Sequence, residues 1–523
     1  MFRNFFHKKV RISNLIESNT RHDDSNQLAK IPHSIDETLA ALQTRLGESK
    51  DIIYRCFLLN QTNIRASIVY IDDLTDANMI NNQVMKTVLS DLNDPPTKND
   101  DLLSLYLFKF IDVGDVSKTH SISEVIEKIL QGNTIFLIDG VSQAICIGTS
   151  KWETRSIEEP TVENTIRGPK ESFTEDLKNN ISLLRRKIKN ENLRFLSLNI
   201  GETTKTDICI SYLHKKADPS LVTEVKSRLE NIDMEGILES RYLEEWIVDH
   251  PYSVFPQLDH TERPDRVAAM LMEGRIAIFC NGTPWVLIVP TIFMQFFTSP
   301  GDYYQNFYFS TFIRWLRFIA SMLTLTIPAF YIALITMHQE MIPTQLALRI
   351  AGSRANVPFP AVVEAFLMEI TFEILREAGI RLPKAAGQAV SIVGALIIGQ
   401  AAVDAGIVSP IKIIVVSLTG ICSFALPNYS LGLTIRLLRF PLMILASLLG
   451  IPGIAVALLA LLTYMTSIKS FGLPYLSPLS PLTQGDFKDT LFRAPLFKLG
   501  NNKSKFGFKP KNKNEFDIED EEQ

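Results

Sequence analysis

The segment Ala361–Ala378 combines acidic and apolar residues at a spacing suited to handling ions. On a helix, Val362, Phe366, Glu369 and Glu373 fall within about 60° of arc. Arg376 and Glu377 flank that stripe and Glu364 lies opposite it. Most of the remaining circumference is apolar: Val363, Leu367, Met368, Ile370, Phe372, Ile374 and Leu375. In a ring of subunits such a stripe presents circles of carboxylates, a common arrangement in cation channels. Val362 and Phe366, on the same line, would form a constriction that closes by dewetting. The plainer alternative is an interfacial helix whose acids face water or pair with Arg349, Arg354 and Arg381. Asp404, one turn after Gln400, closes an apolar window. An ionisable group at membrane depth marks an ion path or a buried pair, although Asp404-Ala405-Gly406 also reads as a loop at the headgroups.

Other chemistries lack their residues. The chain has no P-loop, no GxSxG and no HExxH. Its eight histidines are dispersed, and His250 and His260 read as packing or surface residues in a Pro-rich loop. Five scattered cysteines, Cys56, Cys146, Cys209, Cys280 and Cys422, show no CxxC spacing, which argues against a zinc site and a disulfide framework. No catalytic residue, metal or cofactor is expected. The net charge of -4 averages over unlike regions. Without a basic patch carrying interleaved aromatics, nucleic acid is not an expected partner.

The elements that must position the stripe are membrane helices. Four windows carry no Asp, Glu, Lys or Arg: 318–337, 385–403, 413–435 and 440–468. Each approaches or exceeds the ~20 residues that cross a hydrocarbon core. Pro328 would kink the first window, and Gly450-Ile451-Pro452-Gly453 would break the last into a hairpin. Small residues recur in the second, as Gly387, Gly394, Gly399 and Gly406, and suit either an oligomer seam or packing within the chain. Arg314 and Arg317 precede the first window, and lysines from Lys498 to Lys513 follow the last, so both ends are expected in the cytoplasm. Four crossings would leave Arg436 and Arg439 outside. Six would need the 361–378 segment to cross. The residues fit both counts. The N-terminus, Met1 to Lys9, lacks the apolar stretch of a signal peptide.

The polar portion is a duplication. Residues 125–147 read VIEKILQGNTIFLIDGVSQAICI and residues 267–289 read VAAMLMEGRIAIFCNGTPWVLIV. Gly132 matches Gly274, Asp139-Gly140 matches Asn281-Gly282, Tyr70 matches Tyr212 and Asp76 matches Asp218, all 142 positions apart. Asp-Gly and Asn-Gly between apolar runs predict hairpins with type I′ turns. Helices are expected at 76–92, 121–130, 219–232 and 263–272, with Ser121 and Glu124 at capping-box spacing. The fold class is therefore an α/β soluble portion of two duplicated subdomains, followed by an all-α polytopic transmembrane domain. The expected boundaries are a variable segment at 1–34, subdomains at 35–150 and 175–290 joined by a connector at 151–174, a helical bundle at 291–470 and a tail at 471–523.

Several long runs then carry a family resemblance. They are RSIEEPTVENTIRGPKESFTEDL (155–177), HPYSVFPQLDHTERPDRVAAMLMEGRIAI (250–278), HQEMIPTQL (338–346), VPFPAVVEAFLMEITFEILREAGIRLPK (357–384), GQAVSIVGALIIGQAAVDAGIVSP (387–410) and FGLPYLSPLSP (471–481). The chain resembles the A subunits of GerA-type spore germinant receptors, from about residue 35 to residue 482. The SpoVAF-like paralogues share most of these runs. The resemblance implies a non-enzymatic role at the spore inner membrane, starting germination when nutrients are sensed, with the soluble domains facing the spore core. It implies a transporter-like B subunit that binds the nutrient, a lipoprotein C subunit, and a homo-oligomeric cation channel. A non-conducting scaffold that recruits other germination proteins is the competing reading. Which nutrient is sensed is not written in this chain.

Overall fold

The computed structural model describes residues 30–47, 49–59, 64–72, 74–89, 99–110, 115–150, 159–160, 162–381, 399–481, 489–490 and 492–495. The first α/β subdomain runs α1 (Ile35–Leu46), β1 (Ile52–Leu58), β2 (Arg65–Ile71), α2 (Ala77–Met79), α3 (Met85–Leu89), α4 (Asn99–Phe110), β3 (Val116–Thr119), α5 (Ile122–Leu130), β4 (Thr134–Ile138) and β5 (Ala144–Ile147). The second runs α6 (Leu177–Lys187), β6 (Leu193–Ile200), β7 (Thr206–Leu213), α7 (Pro219–Glu230), α8 (Ser240–Ile247), β8 (Asp259–Thr261), α9 (Pro264–Met272), β9 (Ile276–Cys280) and β10 (Val286–Val289). Two five-stranded antiparallel sheets have the orders β1-β2-β4-β5-β3 and β6-β7-β9-β10-β8, one permutation used twice.

The repeated landmarks do matching jobs. Asp76 accepts from the backbone N–H groups of Asn78 and Met79, and Asp218 accepts from that of Ser220. Each is the N-cap of the helix that follows a central strand. Gly132 and Gly274 have φ of 86° and 94°. A Cβ there would lie 2.9 Å from the Leu74 carbonyl oxygen in one copy and 2.7 Å from that of Lys216 in the other. Left-handed backbone and close approach both demand glycine. The duplication read from sequence is the fold.

Two local expectations change. In the hairpins only Gly140 and Gly282 have positive φ, at 83° and 94°, whereas a type I′ turn needs two such residues. Leu137 pairs with Ala144, so the connection is longer than a two-residue turn. Asp139 is held instead by its carboxylate, which accepts from the Ile35 N–H at 3.0 Å. Ser121 is the N-cap of α5 but makes no side-chain cap bond, so the capping box does not form.

The described residues divide into two compact units, Met1–Ile157 with Phe173–Asn199 and Asp207–Lys215, and Glu158–Ser172 with Ile200–Thr206 and Lys216–Gln523. In the first, β2 reads Arg-Ala-Ser-Ile-Val-Tyr-Ile and is buried on both faces. Ile68 and Tyr70 join the α4 residues Tyr106 and Phe110, while Val69 and Ile71 join α1 and α5 through Leu42 and Val125. Covered faces explain a nearly unbroken apolar run where one wet face would have produced alternation.

In the second unit the chain continues through α10 (Gly301–Tyr304), α11 (Phe307–Thr336), α12 (Thr344–Arg354), α13 (Ala361–Arg381), α14 (Gly399–Asp404), α15 (Pro410–Phe424), α16 (Tyr429–Leu449) and α17 (Ile451–Ser467). It ends in a short hairpin of β11 (Lys469–Ser470) and β12 (Leu473–Pro474). Helices α11 and α16 are long and apolar enough to cross a membrane, and α15 and α17 are shorter apolar helices. The last apolar window does break, at Gly450, whose φ is 65° and where the His338 ring leaves no room for a Cβ. The part of the 385–403 window before Gly399 lies outside the described residues, as do Gly387 and Gly394, the tail lysines and most of the 1–34 segment.

Candidate functional site

Helix α13 is built inside out. A helix in water hides its apolar stripe and exposes its charges. Here Glu364 and Glu369 are fully buried, while Val363, Leu367, Ile370 and Ile374 are 42–63% exposed. Neighbouring helices also turn Ile414, Ile421, Leu437, Ile444 and Leu459 outward. That distribution suits hydrocarbon as the solvent, where charges must find partners inside.

Each carboxylate on α13 has such partners. Glu364 accepts from the Ser409 backbone N–H at 2.7 Å and its hydroxyl at 2.5 Å, and Arg354 lies 3.4 Å away. Ser409 is the N-cap of α15, so Glu364 pins the start of that helix. Glu369 faces Arg439 at 2.9 Å and Lys412 at 3.7 Å, and all three are at most 1% exposed. Glu373 holds Arg439 at 2.9 Å and Arg436 at 3.0 Å. Glu377 pairs with Arg381 in the open. The contacts also fix directions. The starts of α13 and α15 lie together, and α13 runs antiparallel to α16, because Glu369 meets the later arginine and Glu373 the earlier one as well.

The four residues of the stripe therefore share one side, as the helical spacing predicts, and that side faces α16 of the same chain. Phe366 stacks near Phe440, with ring centroids 6.2 Å apart. Val362 and Phe366 are half-buried against the core of the helical region. Asp404 stands apart from the stripe, exposed and accepting from Gln400 Nε2 at 3.0 Å. Of the arginines considered as partners, Arg354 and Arg381 do pair, with Glu364 and Glu377. Lys412, Arg436 and Arg439, partners of Glu369 and Glu373, lie 40 or more residues further along the chain, beyond the reach of local spacing. Arg436 and Arg439 sit three apart between two apolar windows, a spacing that places both on one helix face and could have marked them.

A second cluster ties the helix ends to the α/β part of the same unit. Asp259 of β8 is fully buried and accepts from Arg266 at 2.7 Å, Gln295 at 2.7 Å and Asn428 at 3.4 Å. Asn428 caps α16 by accepting from the Leu431 N–H at 3.0 Å. One and a half turns further along α16, Thr434 donates to the Val254 carbonyl at 2.7 Å. After α17, Ser470 donates to the Gln257 carbonyl at 2.8 Å. Arg266 also reaches Glu163, whose carboxyl burial pushes above the usual range against the pull of that guanidinium. Asp259, Gln257 and Arg266 all lie within the 250–278 run, which thus joins the lobe to the helices.

Comparison with known proteins places these features. Residues 40–505 match the family of Bacillus/Clostridium GerA spore germination proteins. Spore germination protein KA of Bacillus subtilis (strain 168) is 44% identical over 466 residues, covering 89% of this chain and 85% of that protein. The uncharacterized membrane protein YfkQ of the same organism is 43% identical over 472 residues, covering 90% and 91%. A crystal structure of the N-terminal domain of the A subunit of the Bacillus megaterium spore germinant receptor GerK3 is 33% identical, with a TM-score of 0.41, covering 51% of this chain and 99% of that one. Subunits of this family are non-enzymatic. The chain belongs to the GerA family of spore germination proteins, the A subunits of germinant receptors.

Proposed function

We propose that this subunit forms a nutrient-gated cation channel as an oligomer in the spore inner membrane. It works with a transporter-like B subunit that binds the nutrient and a lipoprotein C subunit, and its soluble lobes face the spore core. The observation that carries the reading is the inside-out α13, with Glu364 and Glu369 buried, Glu373 paired to Arg436 and Arg439, and Val363, Leu367, Ile370 and Ile374 exposed. A scaffold has no need of carboxylates there, since each must be compensated. In this reading the structure is the closed form. Val362 and Phe366 are the constriction, the carboxylates of Glu369 and Glu373 are the charges offered to cations on opening, and Asp404 lies at the mouth.

The test is cation release from spores carrying substitutions at matched protein levels. Val362→Ala and Phe366→Ala widen the constriction, so they should cause release without nutrient. Glu369→Gln and Glu373→Gln should lower the nutrient-triggered rate. Glu377→Gln, at a water-exposed pair, should leave it unchanged. Equal effects at 369, 373 and 377, or none at any of them, would favour the scaffold.

A further inference from the structure

We propose that Arg439, with Lys412 as a second counter-ion, is the positioning residue that holds the α13 carboxylates out of the conducting path. Helix α16 would deliver the state of the soluble lobe to it. The inference rests on the channel reading and names the regulation of that same site.

Three observations lead to it. First, Arg439 bridges two acids, with Nη1 on Glu369 and Nη2 on Glu373, both at 2.9 Å. One guanidinium on α16 thus engages both stripe carboxylates, which lie one turn apart on α13. Second, Glu373 takes directed hydrogen bonds from Arg436 and Arg439, whereas Glu369 is held by proximity alone. Neither Glu369 oxygen and no Lys412 proton makes a hydrogen bond among the described residues, although both side chains are fully buried. In a low dielectric each incompletely satisfied charge is costly, so removing one partner changes the balance of the whole cluster. When Arg439 withdraws, Glu369 keeps Lys412 at 3.7 Å and Glu373 keeps Arg436 at 3.0 Å, and water or a cation can take the place of the lost guanidinium on each. Third, α16 is gripped at its other end by the lobe, through Asn428 on Asp259 and Thr434 on Val254. Arg436 and Arg439 follow Thr434 by two and five residues on the same helix. A tilt or turn of α16 imposed at Asp259 therefore moves both arginines relative to α13. No other described helix carries contacts of both kinds.

Nutrient-free opening has a simple chemical requirement in this scheme: Glu369 and Glu373 must lose Arg439. The experiment uses spores expressing the full-length chain with its partner subunits, and counts the fraction that release cations without nutrient. Coupling between sites is commonly worth roughly 5–150-fold, and Arg439→Gln should raise that fraction within this range. Arg439→Lys keeps the charge but loses the two-pronged reach, so it should fall between wild type and Arg439→Gln. Should Arg439→Gln be degraded, the double variant Glu369→Gln/Arg439→Gln strands no carboxylate at position 369 and should show the same raised fraction. A folded variant with the wild-type fraction overturns the proposal. So does a loss of assembled protein in both variants without added release, which would make Arg439 structural only. The channel reading fails separately, if Glu369→Gln and Glu373→Gln leave the nutrient-triggered rate at its wild-type value while Arg439→Gln still changes the nutrient-free fraction.

Discussion

Glu364 shows what a helical wheel can and cannot say about a residue. Spacing placed it correctly on the side away from Glu373, where it reads as a bystander. The structure instead gives it the Ser409 N–H and hydroxyl, both fully buried, and Arg354. The wheel assigns a direction, and the neighbour waiting in that direction comes from 45 residues further on. Glu364→Ala should therefore cost about 1–3 kcal/mol, the penalty for stranding a buried donor. The change would be read as a lower melting temperature of the purified chain in detergent, and wild-type stability would contradict it. Asp76 and Asp218 are the opposite case. A carboxylate just before an apolar-periodic run caps a helix by local geometry alone, so the capping role that repeat matching passes over is open to a local reading at both.

At the scale of elements, legibility followed how local the forces were. Helices α5, α7 and α9 begin and end close to their sequence signals, because Pro219, Pro264 and the periodic apolar residues act within a turn or two. The first hairpin departs from the type I′ turn that Asp-Gly predicts, because Asp139 answers to α1 rather than to its own loop. For α13 the composition marked an unusual helix. Only packing could show that its charged side turns inward against α15 and α16. That arrangement predicts an asymmetry of environment. Spin labels at Leu367→Cys and Ile370→Cys should be quenched by lipid-soluble oxygen, whereas a label at Thr371→Cys, which is only partly exposed, should respond less. Equal responses to lipid-soluble and water-soluble quenchers at 367 and 370 would place this face in water.

At the scale of the whole molecule, the helix directions bear on the crossing number that residues alone left open. Helices α11 and α16 are long and apolar enough to cross a membrane, α13 runs antiparallel to α16, and the chain breaks at Gly450 between α16 and α17. Arg436 lies on α16 about two turns beyond Asn428, which contacts the lobe at Asp259. The expectation is that both termini face the same side as the soluble lobes. A thiol placed at Asn502 should be protected from impermeant reagents added to the outer face of intact membranes. Labelling from that face would reverse the orientation. Assembly of subunits, by contrast, has no local signature in a single chain, since the groups that meet across a seam look like ordinary outward-facing apolar residues such as Leu437 and Ile444.

Cation conduction past the α13 carboxylates is what separates a channel from a scaffold. The most direct measurement is the current through full-length chain reconstituted with its partner subunits in a planar bilayer, compared with the double variant Glu369→Gln/Glu373→Gln at equal assembly. Nutrient-evoked, cation-selective current is expected in the wild type, and markedly smaller, less selective current in the variant. An intact assembly that passes no current, or equal currents with equal selectivity in both, would contradict it.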